Sequence, residues 1–140
     1  MAGPDVIDHP HSVGIVPVDG DEIVFVRQTR RGAGEKVLEI PSGKLEPGES
    51  PEEAAVRELA EECALGAREW RRLGSFWAAP AYSTEYVHVY AASGLYPVDP
   101  GALDEDEDIE VERRPATDGL AELEDAITVA ALALWRDAGD

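Results

Sequence analysis

Three glutamates, Glu58, Glu61 and Glu62, fall within one short stretch that has the composition of a helix. Each helical residue advances about 100°, so with Glu58 at zero, Glu61 lies near about −60° and Glu62 near about +40°. The three carboxylates therefore share one face. Clustered carboxylates repel one another unless positive charge sits between them. Hard, oxygen-preferring cations such as Mg²⁺ or Mn²⁺ suit such a cluster. The same pattern also describes a solvated acidic face, which is the commoner role of acid-rich helices. Val56, Leu59, Ala60 and Cys63 fall opposite and are expected to pack on a sheet, with Ala54 and Ala55 leaving the acidic face uncrowded.

The segment before the helix separates the two readings. Gly43-Lys44-Leu45-Glu46-Pro47-Gly48-Glu49 is a glycine-punctuated loop feeding directly into it. Loop and helix together resemble the Nudix box, Gly-x5-Glu-x7-Arg-Glu-U-x-Glu-Glu-x-Gly-U, where U is a bulky aliphatic. Gly43, Glu49, Arg57, Glu58, Leu59, Glu61, Glu62 and Leu65 stand in register with it. A match at eight spaced positions is far more specific than a lone glycine motif. The final glycine of the pattern is Ala64 here. If the left-handed helix exit is kept, alanine there costs about 1 kcal/mol; Gly66 could instead end a slightly longer helix.

The resemblance implies roles. Glu58 and Glu62 would ligate Mg²⁺ (or Mn²⁺) most directly, Glu61 would share or support them, and a Ser42 or Gly43 carbonyl would add a ligand. Arg57 and Glu49 would form a structural pair around the loop, with direct phosphate contact by Arg57 as the second reading. The implied fold is an α/β/α sandwich around a central mixed sheet.

Other segments resemble the ADP-ribose pyrophosphatase subgroup. Pro80 stands fifteen residues beyond Leu65, ahead of a Ser/Thr-acid pair in Ala81-Tyr82-Ser83-Thr84-Glu85, although Ala81 replaces the subgroup's usual glycine. The run Asp104 to Asp108 corresponds to an acidic loop that supplies a catalytic glutamate: Glu105 as general base and Glu107 as a further metal ligand, or the reverse. Val24 to Arg30, Leu38 to Pro41 and Glu124 to Thr128 also match, and the similarity extends over about residues 6 to 136. Arg27, Gln28, Arg30 and Glu39 would line the substrate pocket together with Pro80 and Tyr82. Arginine suits bidentate phosphate contact and stacking on adenine. Trp77 and Tyr82 are alternative stacking partners, and a core role for Trp77 stands beside that reading.

The implied reaction is hydrolysis of the diphosphate of a nucleoside diphosphate sugar, with ADP-ribose giving AMP and ribose 5-phosphate. Rival readings are a Nudix hydrolase of NADH, a flavin dinucleotide or a nucleoside triphosphate, and a non-catalytic ADP-ribose sensor. The intact glutamates favour catalysis. A prenyl diphosphate isomerase would need a nucleophilic cysteine, and Cys63 lies on the apolar side of the helix. The resemblance also implies a homodimer, although typical members carry a longer strand region ahead of Ser12.

Elements that would position these residues are legible. Residues 1–10 carry two prolines and no periodicity, and read as a tail before one domain over 11–140. Ser12 to Val18 and Glu22 to Val26 read as strands joined at Asp19-Gly20, a hairpin signal. Arg27 to Glu35 reads as a loop and Val37 to Ile40 as a short strand. Ser50-Pro51-Glu52-Glu53 has the form of a capping box, with proline at the first helical position, and predicts a helix from about Pro51 to about Ala64. Trp70 to Ala79, Tyr86 to Ala92 and Ile109 to Arg113 are strand-like, and Asp125 to Asp137 predicts a closing amphipathic helix. Interleaved strands and helices indicate a single α/β or α+β domain.

Bulk properties narrow the partners. A net charge of −18 argues against electrostatic tracking of nucleic acid. An anionic substrate would need metal ions and a few arginines to neutralise its site. The longest apolar stretch, near Ala126 to Trp135, is too short to span a bilayer, so no membrane is expected. No basic start leads into an apolar run, and the expected compartment is the cytoplasm. The single cysteine, Cys63, excludes an internal disulfide and reads as a small core residue rather than a reactive thiol.

Overall fold

The computed structural model describes residues 5–100 and 108–139. Of the expected acidic loop only Asp108 falls among them; Glu105 and Glu107 lie outside the described residues. Among the described residues the chain forms β1 (Ser12–Asp19), β2 (Glu22–Arg30), β3 (Glu35–Glu39), β4 (Ser42–Lys44), α1 (Pro51–Cys63), β5 (Leu65–Trp77), β6 (Tyr86–Pro97), β7 (Ile109–Pro115), a 3₁₀ turn (Leu120–Glu122) and α2 (Ala126–Ala138). The strands order as β3-β2-β1-β6-β5, with β4 paired to β1 and β7 to β2. β1 and β6 run parallel and the other pairings are antiparallel, which makes the sheet mixed.

Alternation along β1 builds both sides of the sandwich. Val13 and Ile15 point to α1, where they pack with Ala54, Ala55, Leu59, Tyr90 and Ala92. Val16 points to the opposite layer with Phe25, Ile40, Val87, Val89 and the α2 residues Ala131 and Leu132. The result is an α+β sandwich with one helix on each face of a mixed sheet.

The first hairpin turns at Gly20, whose φ of 63° falls where L-residues are disfavoured. β2 does not stop at Val26. Arg27 to Arg30 continue the strand because β3 pairs with them from Leu38 to Glu35, and the turn comes only at residues 31–34. β4 has no β-forming residue; its ladder to β1, Ser42 opposite Gly14 and Lys44 opposite Ser12, creates it. Residues 5–10 are not a free tail. The Ile7 amide donates to the Tyr82 carbonyl at 2.7 Å, and the Thr84 amide returns a bond to Ile7 at 3.0 Å.

α1 starts on a complete capping box. Ser50 accepts from the Glu53 amide while the Glu53 carboxylate accepts from the Ser50 amide. It ends at Ala64, held in the left-handed region at φ 56°, ψ 40°, so alanine takes the conformation that the missing glycine would take. That turn throws the chain straight into β5 at Leu65, five residues earlier than the strand-like composition begins. Gly66 lies inside the strand and does not end the helix.

The packed face of α1 differs from the expected one. Ala54, Ala55 and Leu59 are fully buried, whereas Val56 is 44% exposed. The inward arc therefore runs through Glu58 and Glu62 rather than opposite them. Two alanines let the helix approach the sheet closely, and the carboxylates of the next turns are carried in with them.

Candidate active site

Glu58 reaches the inward arc because β4 offers no side chain in its way. A methyl group on Gly43 would overlap the Glu58 carboxyl, so any larger residue there would push that carboxyl from its present position. Burial raises the Glu58 pKa above the ordinary carboxylate range, against the opposing pull of Arg57. Glu62, one turn on, is more deeply buried, and its Oε2 has no hydrogen-bond partner. Burial, and then the neighbouring Glu58, hold its pKa well above the usual range. The backbone at Ser42 works the other way, favouring the Glu62 carboxylate.

Arg57 organises the outer side of this cluster. Its Nε and Nη2 donate to the two oxygens of Glu49 at 2.8 and 2.9 Å, and Nη2 also donates to the Lys44 carbonyl at 2.9 Å. Nη1 donates to Glu58 at 2.8 Å and to Glu61 at 3.2 Å. One guanidinium thus ties the loop to the helix. Hydrogen bonds from Arg57 hold Glu49 down at about 2, so this tie stays ionised through mild acid. It also draws Glu58 and Glu61 toward Arg57. Among the described residues no three acids, histidines or cysteines converge closely enough to enclose an ion as they stand. The donor set nonetheless fits a hard cation: two largely buried carboxyls side by side, one with a buried oxygen lacking any partner, at a glycine that leaves room for them.

These groups line a cavity of about 600 Å³ between α1, β1, β2 and the start of α2. Gln28, Arg30, Glu39, Ser42, Gly43, Glu58, Glu61 and Glu62 all contribute to its wall. Glu39 is almost fully buried and receives Arg30 bidentately, with both N–O distances at 2.7 Å. That pairing raises the Arg30 pKa and leaves the Nη1 nitrogen outside the pair. Lys44, His9, Ser12, Glu85, Glu124 and Asp125 complete the polar wall. Ser12 donates to Glu85 at 2.6 Å. The parallel register of β1 and β6, Ser12 opposite Val87, brings those two segments together, and nothing local in the sequence signals it.

Three expected substrate contacts lie elsewhere. Arg27 alternates to the other face of β2, where it lines a separate cavity of about 220 Å³ and pairs with Glu112 at 3.2 Å. Pro80 and Tyr82 sit exposed in the turn between β5 and β6 and do not line the larger cavity. Trp77 is 55% exposed, which removes the core reading for it; its ring meets Tyr86 edge-on at 4.8 Å. Cys63 packs at the border of the α1 core layer, and burial, then Glu62, pushes its thiol up to about 12. It is therefore no thiolate nucleophile at neutral pH.

Known proteins resemble this chain. The ADP-ribose pyrophosphatase of Bacillus subtilis (strain 168) is 37% identical over 118 residues, covering 83% of this chain and 64% of that protein. The ADP-ribose pyrophosphatase of Mycobacterium tuberculosis is 41% identical over 93 residues, covering 65% of this chain and 45% of that protein. The chain thus spans less than two thirds of either relative. A crystal structure of an ADP compounds hydrolase superposes with a TM-score of 0.82 at 34% identity, covering 91% of this chain and 71% of that one. The sequence profile of the NUDIX domain matches residues 8–134, nearly the whole chain, and the chain belongs to the NUDIX domain family.

Proposed function

We propose that this chain is a divalent-metal-dependent hydrolase of the diphosphate bond in a nucleoside diphosphate sugar, with ADP-ribose the favoured substrate and AMP and ribose 5-phosphate the products. The observation that carries the reading is the pair Glu58–Glu62, buried at the cavity wall with one oxygen unpartnered. A cation would satisfy both carboxyls in their ionised form. The names of the relatives support the substrate class. Mg²⁺ is favoured over Mn²⁺, and Glu58, Glu62 and Glu61 with the Ser42 carbonyl would hold it. Bound there, the metal supplies charge against the phosphoryl oxygens and lowers the pKa of a water.

The chain's own groups do the rest. Arg30, fixed by Glu39 at the cavity wall, contacts a phosphate. Gln28 on the same face of β2 contacts the nucleotide. Glu105 takes the proton from the attacking water, and Glu107 adds a metal ligand. Arg27, Pro80 and Tyr82 lie away from the cavity in one chain, and their substrate roles require a homodimer in which a second copy contributes them. The proposed compartment is the cytoplasm; among the described residues no helix is long and apolar enough to cross a membrane.

The test is phosphate release, with excess alkaline phosphatase, from ADP-ribose, other ADP-sugars and dinucleotides in Mg²⁺; dNTPs need phosphatase-free controls with direct product separation. Preference for ADP-ribose is expected. Preference for another diphosphate keeps the metal chemistry and discards the substrate; tight ADP-ribose binding without turnover indicates a sensor. Glu62→Gln is expected to lower kcat by at least about a hundredfold, since metal charge stabilises the transition state by several kcal/mol. Near-normal turnover in that variant would refute the metal assignment. Glu105→Gln should lose far more rate than Glu107→Gln at saturating Mg²⁺, and the reverse ranking would exchange their roles.

A further inference from the structure

The chain crosses between two ladders at Ile40-Pro41. β3 pairs with β2 as far as Glu39 opposite Val26, and β4 pairs with β1 from Ser42 opposite Gly14. Between them the Pro41 carbonyl accepts from the Ile15 amide at 2.9 Å. The Ile40 amide is buried, and neither ladder supplies its acceptor. It donates instead to Thr128 Oγ1, on the first turn of α2, at 3.0 Å. Thr128 is itself fully buried, and its hydroxyl donates to Asp125 Oδ2 at 2.7 Å. With its hydrogen directed at Asp125, the hydroxyl oxygen keeps a lone pair for the Ile40 amide. Asp125 also caps α2 by accepting the Thr128 amide at 3.0 Å.

Glu39, Ser42 and Gly43, all close to Ile40 along the chain, line the cavity. Glu39 holds Arg30, Ser42 faces Glu62 and Gly43 bears on the Glu58 carboxyl. We propose that Thr128 is a positioning residue: its hydroxyl, oriented by Asp125, pins the Ile40 amide and thereby sets where Glu39, Ser42 and Gly43 stand around the cavity. The proposal rests on the hydrolase reading for its catalytic consequence, and on the hydrogen-bond geometry alone for its structural one. Buried amides without an acceptor are costly, so removing the hydroxyl moves the crossing rather than leaving it in place.

The experiment compares Thr128→Val, which keeps the shape and deletes the hydroxyl, with Thr128→Ser, which keeps the hydroxyl. Two readouts are taken where all forms are fully folded. One is amide exchange at Ile40, Ser42 and Gly43 in the metal-free protein; the other is kcat and KM on ADP-ribose in Mg²⁺. The valine variant should exchange faster at these amides and lose about tenfold in kcat, as a small misplacement of catalytic groups does. The serine variant should restore both. Wild-type exchange in the valine variant, or failure of serine to restore it, overturns the relay whatever the turnover. Faster exchange with unchanged kcat overturns its catalytic role. If the wild type cleaves no diphosphate, the hydrolase reading has failed, and the exchange data still decide the relay.

Discussion

At the scale of single residues, Glu62 is the most consequential side chain because it is an acid placed where an acid is disfavoured. Its carboxyl is buried beside Glu58, and its pKa in the folded protein stands above the ordinary 4.5. The unfolded chain releases this proton near its ordinary value while the folded chain keeps it. Stability from this group is therefore fully present below about pH 4.5 and is lost as pH rises toward the folded pKa. Glu62→Gln removes the titration. In EDTA its thermal midpoint should exceed that of the wild type by more at about pH 8 than at about pH 5, and Mg²⁺ should shrink the difference by favouring the wild-type carboxylate. An equal difference at both pH values would mean that Glu62 titrates normally. That Glu62 shares a helix face with Glu58 and Glu61 was legible from local spacing. Its burial was not, because the helical wheel shows that the acids cluster but not that Ala54 and Ala55 turn the cluster inward. The opposite fates of Arg27 and Arg30 were legible in principle: in a strand, residues three apart face opposite ways. Reading that segment as a loop concealed it.

At the scale of elements, the loop-helix unit from Gly43 to Leu65 was legible because its signals are local in the chain: a capping box at Ser50–Glu53 and eight spaced positions in register with one pattern. β4 and the first five residues of β5 were missed because partners rather than propensity make them strands. Ala64 connects the two cases. Its left-handed conformation costs an L-residue about 1–2 kcal/mol. Glycine relieves that strain but gives back roughly 0.4–1 kcal/mol through the greater freedom of the unfolded chain. The strain is the larger of the two, so Ala64→Gly should stabilise the protein, by somewhat under about 1 kcal/mol. Urea denaturation measures it: a higher midpoint at unchanged slope is expected. A lower midpoint would show that the Ala64 methyl packs favourably enough to outweigh its backbone.

At the scale of the whole molecule, 30 acids face 12 lysines and arginines, giving a net charge of −18. Seven carboxylates, those of Glu39, Glu58, Glu61, Glu62, Glu85, Glu124 and Asp125, line one cavity with Arg30 and Lys44 as its lysine or arginine cations. Two electrostatic contributions oppose each other when salt is added. Screening weakens exposed ion pairs such as Lys36–Glu110. It also relieves the self-repulsion of the whole surplus charge, over a Debye length that shrinks from about 30 Å at 0.01 M to about 8 Å at 0.15 M. With so large a surplus the second contribution should win, and NaCl should raise the thermal midpoint of the metal-free protein. If the proposed site holds, MgCl₂ at matched ionic strength should raise it further, by binding at the Glu58–Glu62 pair as well as screening. The excess of Mg²⁺ over Na⁺ should vanish in Glu62→Gln while the common salt effect remains. A midpoint that falls with NaCl would place the balance with the ion pairs. An Mg²⁺ excess that survives Glu62→Gln would place the cation elsewhere on the acidic surface.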